Sequence, residues 1–210
     1  MSDSFFDLDE HDGVRVLRLR SGDGTNRLSR GCVLALREVV RKLGAHGRPL
    51  VITGNARFFS AGAELGEIDR LDGPAAYEFS KMGQALMDSI EQFPAPVYAA
   101  VSGYCMGGGL DLALACHRRI AAGNAIFGHR GAALGLITGW GGTQRLPRLV
   151  GKGLALEMFV AAEKVGAQRA LAIGLVEAVV EDPVVEALQR IRLLVNRGRD
   201  SELPNFVSQA

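Results

Sequence analysis

Two short, entirely apolar runs constrain the fold of this chain most strongly. LVIT (50–53) and VYAAV (97–101) are each bounded by turn residues, and runs of this kind are typical of strands buried on both faces of a parallel sheet. Parallel strands need long crossover connections, which are usually helices. Residues 74–93 lie between the two runs and carry apolar side chains at spacings of three and four, which predicts such a helix. The pattern therefore predicts an α/β fold.

The remaining periodicity predicts strands and helices that alternate along the chain. Further strands are predicted at 14–19, 119–122, 125–127 and 175–180. Further helices are predicted from the N-cap Ser29 to about Leu43, and at 107–115, 144–150, 154–162, 168–173 and 184–195. The order suggests repeated strand–strand–helix units. We expect one core domain over 1–183 and a short C-terminal helical tail over 184–210.

Composition narrows the class of protein. The 24 basic and 23 acidic residues give a net charge of +1, and no long basic block is present, so we expect no nucleic-acid partner. No apolar stretch approaches the ~20 residues of a membrane span, and the acidic N-terminus is unlike a signal peptide. The three cysteines form no CxxC pair and the four histidines have no ligand spacing. We therefore expect a cytoplasmic protein with no membrane partner and no metal site.

Two glycine-rich loops are the segments in which we expect a functional site. FSAGAEL (59–65) and GYCMGGGLDL (103–112) each follow one of the apolar runs and lead towards a helix. Small residues let a ligand approach the backbone, and the free N–H groups at a helix start carry partial positive charge. Two such N–H groups that converge form an oxyanion hole. The alternative is tight helix–strand packing, which also favours glycine; finding the two loops together favours a functional site.

Four segments resemble the crotonase superfamily, the enoyl-CoA hydratase/isomerase enzymes. They are ITGNARFFSAGAEL (52–65), APVYAAVSGYCMGGGLDLALAC (95–116), GWGGTQRLPRLVG (139–151) and AQRALAIGLV (167–176). The resemblance is ungapped from Pro96 to Val176 and weaker back to Val14. It implies a crotonase-like spiral of repeated ββα units, here with a shortened C-terminal helical region.

The resemblance also implies a function and a site. Ala63 and Gly108 occupy the positions of the two amides that bind the thioester carbonyl of an acyl-CoA. The substrate-binding positions it implies are Ala61, Gly62, Gly107, Gly131 and Trp140. No cofactor is implied beyond the coenzyme A of the substrate. The family's usual assembly is a homotrimer or a hexamer built from two trimers.

The sequence departs from the family where hydratases place two glutamates. Asp111 stands at the first position and Gly131 at the second. Hydration uses a carboxylate pair to ionise water and protonate the α-carbon, and glycine cannot take part. Asp111 is then the single predicted acid/base, which suits isomerisation better than hydration. Its alternative role is to cap the free amides of its own helix.

Three other residues have both a functional and a structural interpretation. His129 either supplies an acid/base group near neutral pH or is a packed side chain. Trp140 either narrows the acyl pocket or fills the core. Glu64 either supplies an alternative acid or forms a surface ion pair.

Two alternatives to an isomerase stay open. One is a catalytically weak acyl-CoA-binding accessory subunit, which Gly131 favours and the intact loops disfavour. The other is a decarboxylase of a malonyl-type thioester. The acyl group, and whether it is carried on free CoA or on an acyl-carrier protein, is not fixed by the sequence.

Overall fold

The computed structural model describes residues 4–200 and has a mixed α/β architecture. Its strands are β1 (Phe6–His11), β2 (Val14–Leu19), β3 (Arg27–Leu28), β4 (Leu50–Thr53), β5 (Phe58–Ser60), β6 (Gly62–Ala63), β7 (Val97–Val101), β8 (Tyr104–Met106), β9 (Arg118–Ala122), β10 (Ile126–Gly128), β11 (Val165–Gly166) and β12 (Ala178–Val180). Its helices are α1 (Arg30–Gly44), α2 (Leu65–Ile68), α3 (Gly73–Glu91), α4 (Gly108–Ala115), α5 (Gly142–Val150), α6 (Lys152–Val160), α7 (Ala167–Ala172) and α8 (Pro183–Asp200). A single 3₁₀ turn spans Gly131–Leu134.

The strands form two principal sheets and one small one. The larger sheet has the order β1-β2-β4-β7-β9-β12 and is parallel except for the β1–β2 pair. The smaller sheet has the order β11-β10-β8-β5, in which only β10 and β11 are antiparallel. Strands β3 and β6 pair in parallel by themselves.

The chain winds between the sheets in repeated ββα units. Strands β4, β7 and β9 each enter the larger sheet, and the next strands β5, β8 and β10 enter the smaller one. A helix completes each unit before the chain returns to the larger sheet. This confirms the predicted α/β spiral. It also brings the ends of the parallel strands β5, β8 and β10 to one edge of the smaller sheet.

Local sequence signals account for the longest helices. The Ser29 hydroxyl caps α1 by accepting from the Cys32 N–H at 3.3 Å. The Asp72 carboxylate caps α3 by accepting from the Ala75 N–H at 2.9 Å. Both helices bury one apolar face in the core, as their periodicity predicted.

The strand predictions needed correction. The short strands β3, β5, β6, β8 and β11 were not predicted, because runs of two or three residues carry no clear alternation. Strand β1 was missed because half of its sequence, FDLDEH, is acidic; it is an exposed edge strand paired with β2, where charged side chains are tolerated. The strand predicted at 175–180 begins only at Ala178. The N–H groups of Leu175 and Val176 instead donate to the Ala170 carbonyl and close the end of α7.

Helix α8 starts at the predicted tail boundary and covers the outer face of the larger sheet. Its Ala187 and Ile191 are fully buried in a second apolar cluster with sheet residues such as Val51 and Tyr98. The first part of the predicted tail therefore packs onto the sheet, while residues 201–210 of that tail lie outside the described part of the chain. Within residues 4–200, no helix is both long enough and apolar enough to cross a membrane.

Candidate functional site

The first glycine-rich loop is held by Ser60 at the end of β5. The Ser60 hydroxyl donates to the Asn26 carbonyl at 2.7 Å and accepts from the Gly62 N–H at 3.1 Å. Gly62 has a φ of +97°, a conformation that favours glycine. A Cβ added to Gly62 would lie 2.6 Å from the Met106 carbonyl oxygen. Glycine at this position therefore allows both the turn and the close approach of the second loop.

The second loop leads directly into α4. The Gly107 N–H donates to the Gly128 carbonyl at 2.9 Å, which joins the ends of β8 and β10. Gly108 is the first residue of α4, so its N–H has no acceptor within the helix. A Cβ added to Gly108 would lie 3.3 Å from the Ala63 backbone nitrogen. The amides of Ala63 and Gly108 are therefore close neighbours where the two loops meet.

A cavity of about 330 Å³ opens beside these amides. Its wall includes every residue that the sequence assigned to the site: Ala61, Gly62, Ala63, Gly107, Gly108, Asp111, Gly131 and Trp140. Much of the remaining wall is apolar and comes from α2, α3 and the segment before α5: Leu65, Ile68, Leu71, Phe79, Leu134, Leu136 and Ile137. An apolar cavity with a few convergent polar groups is typical of a small-molecule site.

Asp111 is the acidic side chain of the cavity wall, and it is only 1% exposed. It lies in the first turn of α4, yet the hydrogen bond that its carboxylate accepts comes from the Thr138 hydroxyl, at Oδ2. Gly142, the first residue of α5, packs against the carboxylate so closely that it leaves no room for a side chain. Among the described residues the carboxylate accepts no amide of its own helix. The capping interpretation of Asp111 is therefore not the arrangement found.

His129 lies directly beside Asp111. Its Nε2 is 3.2 Å from Asp111 Oδ1, and the side chain is 4% exposed. His129 follows β10, whose parallel partner β8 leads into α4. The topology therefore brings a titratable side chain from the first turn of α4 next to one from the end of β10. The imidazole also packs against the Phe159 ring, with 5.1 Å between centroids.

Trp140 lies between the cavity and the core. It lines the cavity and is only 3% exposed. Its indole N–H donates to the Phe79 carbonyl at 3.2 Å, and the two rings lie 5.3 Å apart. The indole also covers Gly108 and Gly83 so tightly that neither position has room for a Cβ. Trp140 thus fixes the wall formed by α3 and α4.

Gly131 lines the cavity and begins the 3₁₀ turn. A Cβ at this position would lie 2.6 Å from the Leu136 carbonyl oxygen. The backbone path therefore excludes any side chain there, a carboxylate included, unless the loop moves.

Thr138 and Glu64 both form polar contacts that bear on the predicted site. Thr138 was not predicted to contact Asp111, because a separation of 27 residues in a loop carries no periodic signal. Glu64 caps the short helix α2 by accepting from the Gly66 N–H at 3.3 Å, and lies 4.0 Å from Arg27. This geometry supports the ion-pair interpretation of Glu64. Within the described residues, no group of three or more His, Cys, Asp or Glu side chains is placed to hold a metal ion.

Comparison with known families gives a match over most of the chain. A family model described as enoyl-CoA hydratase/isomerase matches residues 9–202. The chain is 37% identical over 193 residues to a crotonyl-CoA hydratase of Syntrophomonas wolfei, covering 90% of this chain and 74% of that protein. It is 44% identical over 148 residues to a probable enoyl-CoA hydratase of Bacillus subtilis, covering 70% of this chain and 57% of that protein.

Solved structures show the same fold. DspI of Pseudomonas aeruginosa superposes with a TM-score of 0.87 at 34% identity, covering 93% of this chain and 76% of that chain. An enoyl-CoA hydratase of Bacillus anthracis superposes with a TM-score of 0.86 at 33% identity, covering 91% and 77% respectively. The described chain thus spans about three quarters of either structure.

Proposed function

Because the chain belongs to the enoyl-CoA hydratase/isomerase family, we propose that it processes acyl-CoA thioesters by stabilising a thioester enolate in this cavity. The observation that carries the proposal is the meeting of the Ala63 and Gly108 amides on a wall that also includes Asp111. Backbone donors, a buried carboxylate and apolar side chains are the groups that such a reaction requires.

The two amides would bind the thioester carbonyl oxygen. Negative charge develops on that oxygen when the α-proton leaves, and each preorganised donor is then worth about 3–4 kcal/mol. The N-terminus of α4 adds its partial positive charge at the same place. Ala61, Gly62 and Gly107 would let the CoA portion run close to the loop backbone.

Asp111 would move the proton. Its Oδ2 accepts from Thr138, so Oδ1 is the oxygen left to take a proton from the α-carbon. Because Gly131 has no side chain and no room for one, a second carboxylate is excluded at that position. We therefore favour isomerisation of an enoyl thioester, in which a proton is removed at C2 and returned at C4.

The apolar wall would hold the acyl chain. Phe79, Leu136 and Trp140 lie on it with the other apolar side chains already named. The volume of about 330 Å³ is at the lower end of the usual range for ligand pockets. We accordingly propose a short- or medium-chain acyl group. We further propose the homotrimer or hexamer typical of the family, which sedimentation of the purified protein would test.

A second candidate is binding without turnover, and the closed backbone at Gly131 is what favours it. Mass spectrometry of enoyl-, 3-enoyl-, malonyl-type and saturated CoA thioesters, incubated with the protein in heavy water, separates the candidates. Isomerisation, hydration and decarboxylation each leave a different mass and deuterium pattern. Hydration is the reaction in the names of the relatives from S. wolfei and B. subtilis. If every thioester is bound and recovered unchanged, the enzyme proposal is wrong.

A further inference from the structure

Asp111 and His129 each bury a polar atom that has no hydrogen-bond partner in the described part of the chain. These atoms are Asp111 Oδ1 and His129 Nε2, and they lie 3.2 Å from one another. Buried polar atoms without partners are rare in folded proteins, and each usually has a structural or catalytic explanation. Both residues line the cavity. A proton shared between the two atoms would satisfy both of them, and it would lie in the wall of the cavity.

The groups around the Asp111 carboxylate leave its Oδ1 oxygen available to accept a proton. The Thr138 hydroxyl donates to Oδ2 and holds that side of the carboxylate. Gly142 allows α5 to close over Asp111 and His129 together, because a Cβ there would lie 2.9 Å from His129 Nε2. On the other side, the His129 ring rests on Phe159. The pair is therefore enclosed by α5, Thr138 and Phe159, and it forms part of the cavity wall.

We propose that His129 is the second proton-transferring group of this site, coupled to Asp111 through the Oδ1–Nε2 contact. The inference rests on the proposed function, since it assigns His129 a step in the isomerisation. Gly131 excludes a second carboxylate. The imidazole of His129, which follows β10, takes the place of that carboxylate.

The proton transfer balances without any further reactant. Asp111 Oδ1 takes the proton from C2, and the C–H electron pair moves through the thioester to the carbonyl oxygen. The proton then passes from Oδ1 to Nε2 of neutral His129, which becomes an imidazolium. The imidazolium gives the proton to C4 while the enolate electrons return to form the C2–C3 double bond. Asp111 ends as a carboxylate and His129 ends neutral, as both began.

Because Asp111 removes the proton from C2 and His129 delivers it to C4, an experiment can separate the two steps. Loss of His129 slows delivery to C4 but leaves removal from C2 to Asp111. Loss of a residue that only orients Asp111 slows removal from C2 instead. The two cases differ in whether C2 takes up deuterium from heavy water faster than the substrate isomerises.

The test follows 3-hexenoyl-CoA in heavy water with the wild type and with His129→Gln, by mass spectrometry of the recovered substrate and of the product. We expect the variant to isomerise about 100-fold more slowly, in line with the loss of one general acid/base, while the recovered substrate takes up deuterium at C2 faster than it isomerises. A rate of isomerisation near that of the wild type contradicts the proposal, and so does a slower rate with recovered substrate that carries no deuterium at C2.

Three further variants serve as controls for this test. His46→Gln changes an exposed histidine and is expected to match the wild type. His129→Phe retains the aromatic contact with Phe159 and repeats the test if the glutamine variant unfolds. Thr138→Val removes the hydroxyl that holds Asp111 and is expected to slow deuterium uptake at C2 and isomerisation together. A wild type that isomerises no thioester contradicts the proposed function itself. His129 variants that isomerise as fast as an active wild type contradict only this inference.

Discussion

The cavity has a backbone half and a side-chain half, and the two halves are built differently. The amides of Ala63 and Gly108 are positioned by glycine conformations and short contacts within two loops. Asp111, His129 and Thr138 come from a helix, a strand end and a loop that meet only in the folded protein. The backbone half therefore depends on local geometry, and the side-chain half depends on tertiary packing. Each half fails under a different kind of substitution.

The largest effect is expected in the side-chain half, from Asp111→Asn. The amide keeps the shape of the carboxylate but cannot accept the α-proton, so isomerisation is expected to fall by about 1,000-fold. Affinity for the thioester, measured by calorimetry, should change little because the backbone amides remain. Unchanged turnover would remove Asp111 from the mechanism.

In the backbone half, Gly108→Ala is expected to reduce turnover by about 100-fold. The added methyl would lie 2.5 Å from the Trp140 ring, so the amide at the start of α4 or the indole must shift. Gly123→Ala is the matched control, since a Cβ at this exposed position meets nothing within 4 Å. If both alanine variants turn over like the wild type, the Gly108 amide is not part of the site.

The Gly131→Glu variant tests whether a second carboxylate can be introduced into the site. The new side chain has no room beside the Leu136 carbonyl, so we expect a loss of about 1–3 kcal/mol of unfolding free energy and no gain in hydration. Denaturant unfolding and a hydration assay measure the two outcomes. A stable variant that hydrates faster than the wild type would show that the loop is more adaptable than the contact implies.

Trp140→Phe links the two halves. The change removes the hydrogen bond to the Phe79 carbonyl and part of the indole, which is expected to lower the unfolding free energy by about 1–3 kcal/mol. It also enlarges the cavity, so preference should move towards longer acyl chains. Rates across a series of chain lengths measure this shift; an unchanged preference would place the acyl chain elsewhere.

The smallest effect concerns the cysteines, which lie outside the cavity wall. Burial raises the pKa of Cys32 and Cys116 to about 12, and it also raises the pKa of Cys105 well above its usual range. Because the thiolate is the reactive form, iodoacetamide at pH 8 should leave the folded protein unlabelled and fully active. Labelling of all three thiols should follow unfolding. Rapid labelling of the native protein would mean that the core opens locally.

The same contrast explains how much could be predicted from the sequence. The glycine-rich loops, the strands at 50–53 and 97–101 and the amphipathic helices follow from local patterns, and the eight assigned residues do share one cavity. Strand β1 was missed because its charges are tolerated only at a sheet edge. The Thr138–Asp111 bond was missed because it spans 27 residues, and the apposition of His129 to Asp111 depends on the pairing of β8 with β10.

The proposed function requires the two halves of the cavity to act on one substrate. A crystal structure of the Asp111→Asn variant with 3-hexenoyl-CoA bound tests this directly. We expect a thioester carbonyl oxygen about 2.7–3.1 Å from both the Ala63 and Gly108 nitrogens, with C2 facing residue 111 and C4 facing His129. A carbonyl that contacts neither amide, or an acyl chain outside the cavity, would contradict it.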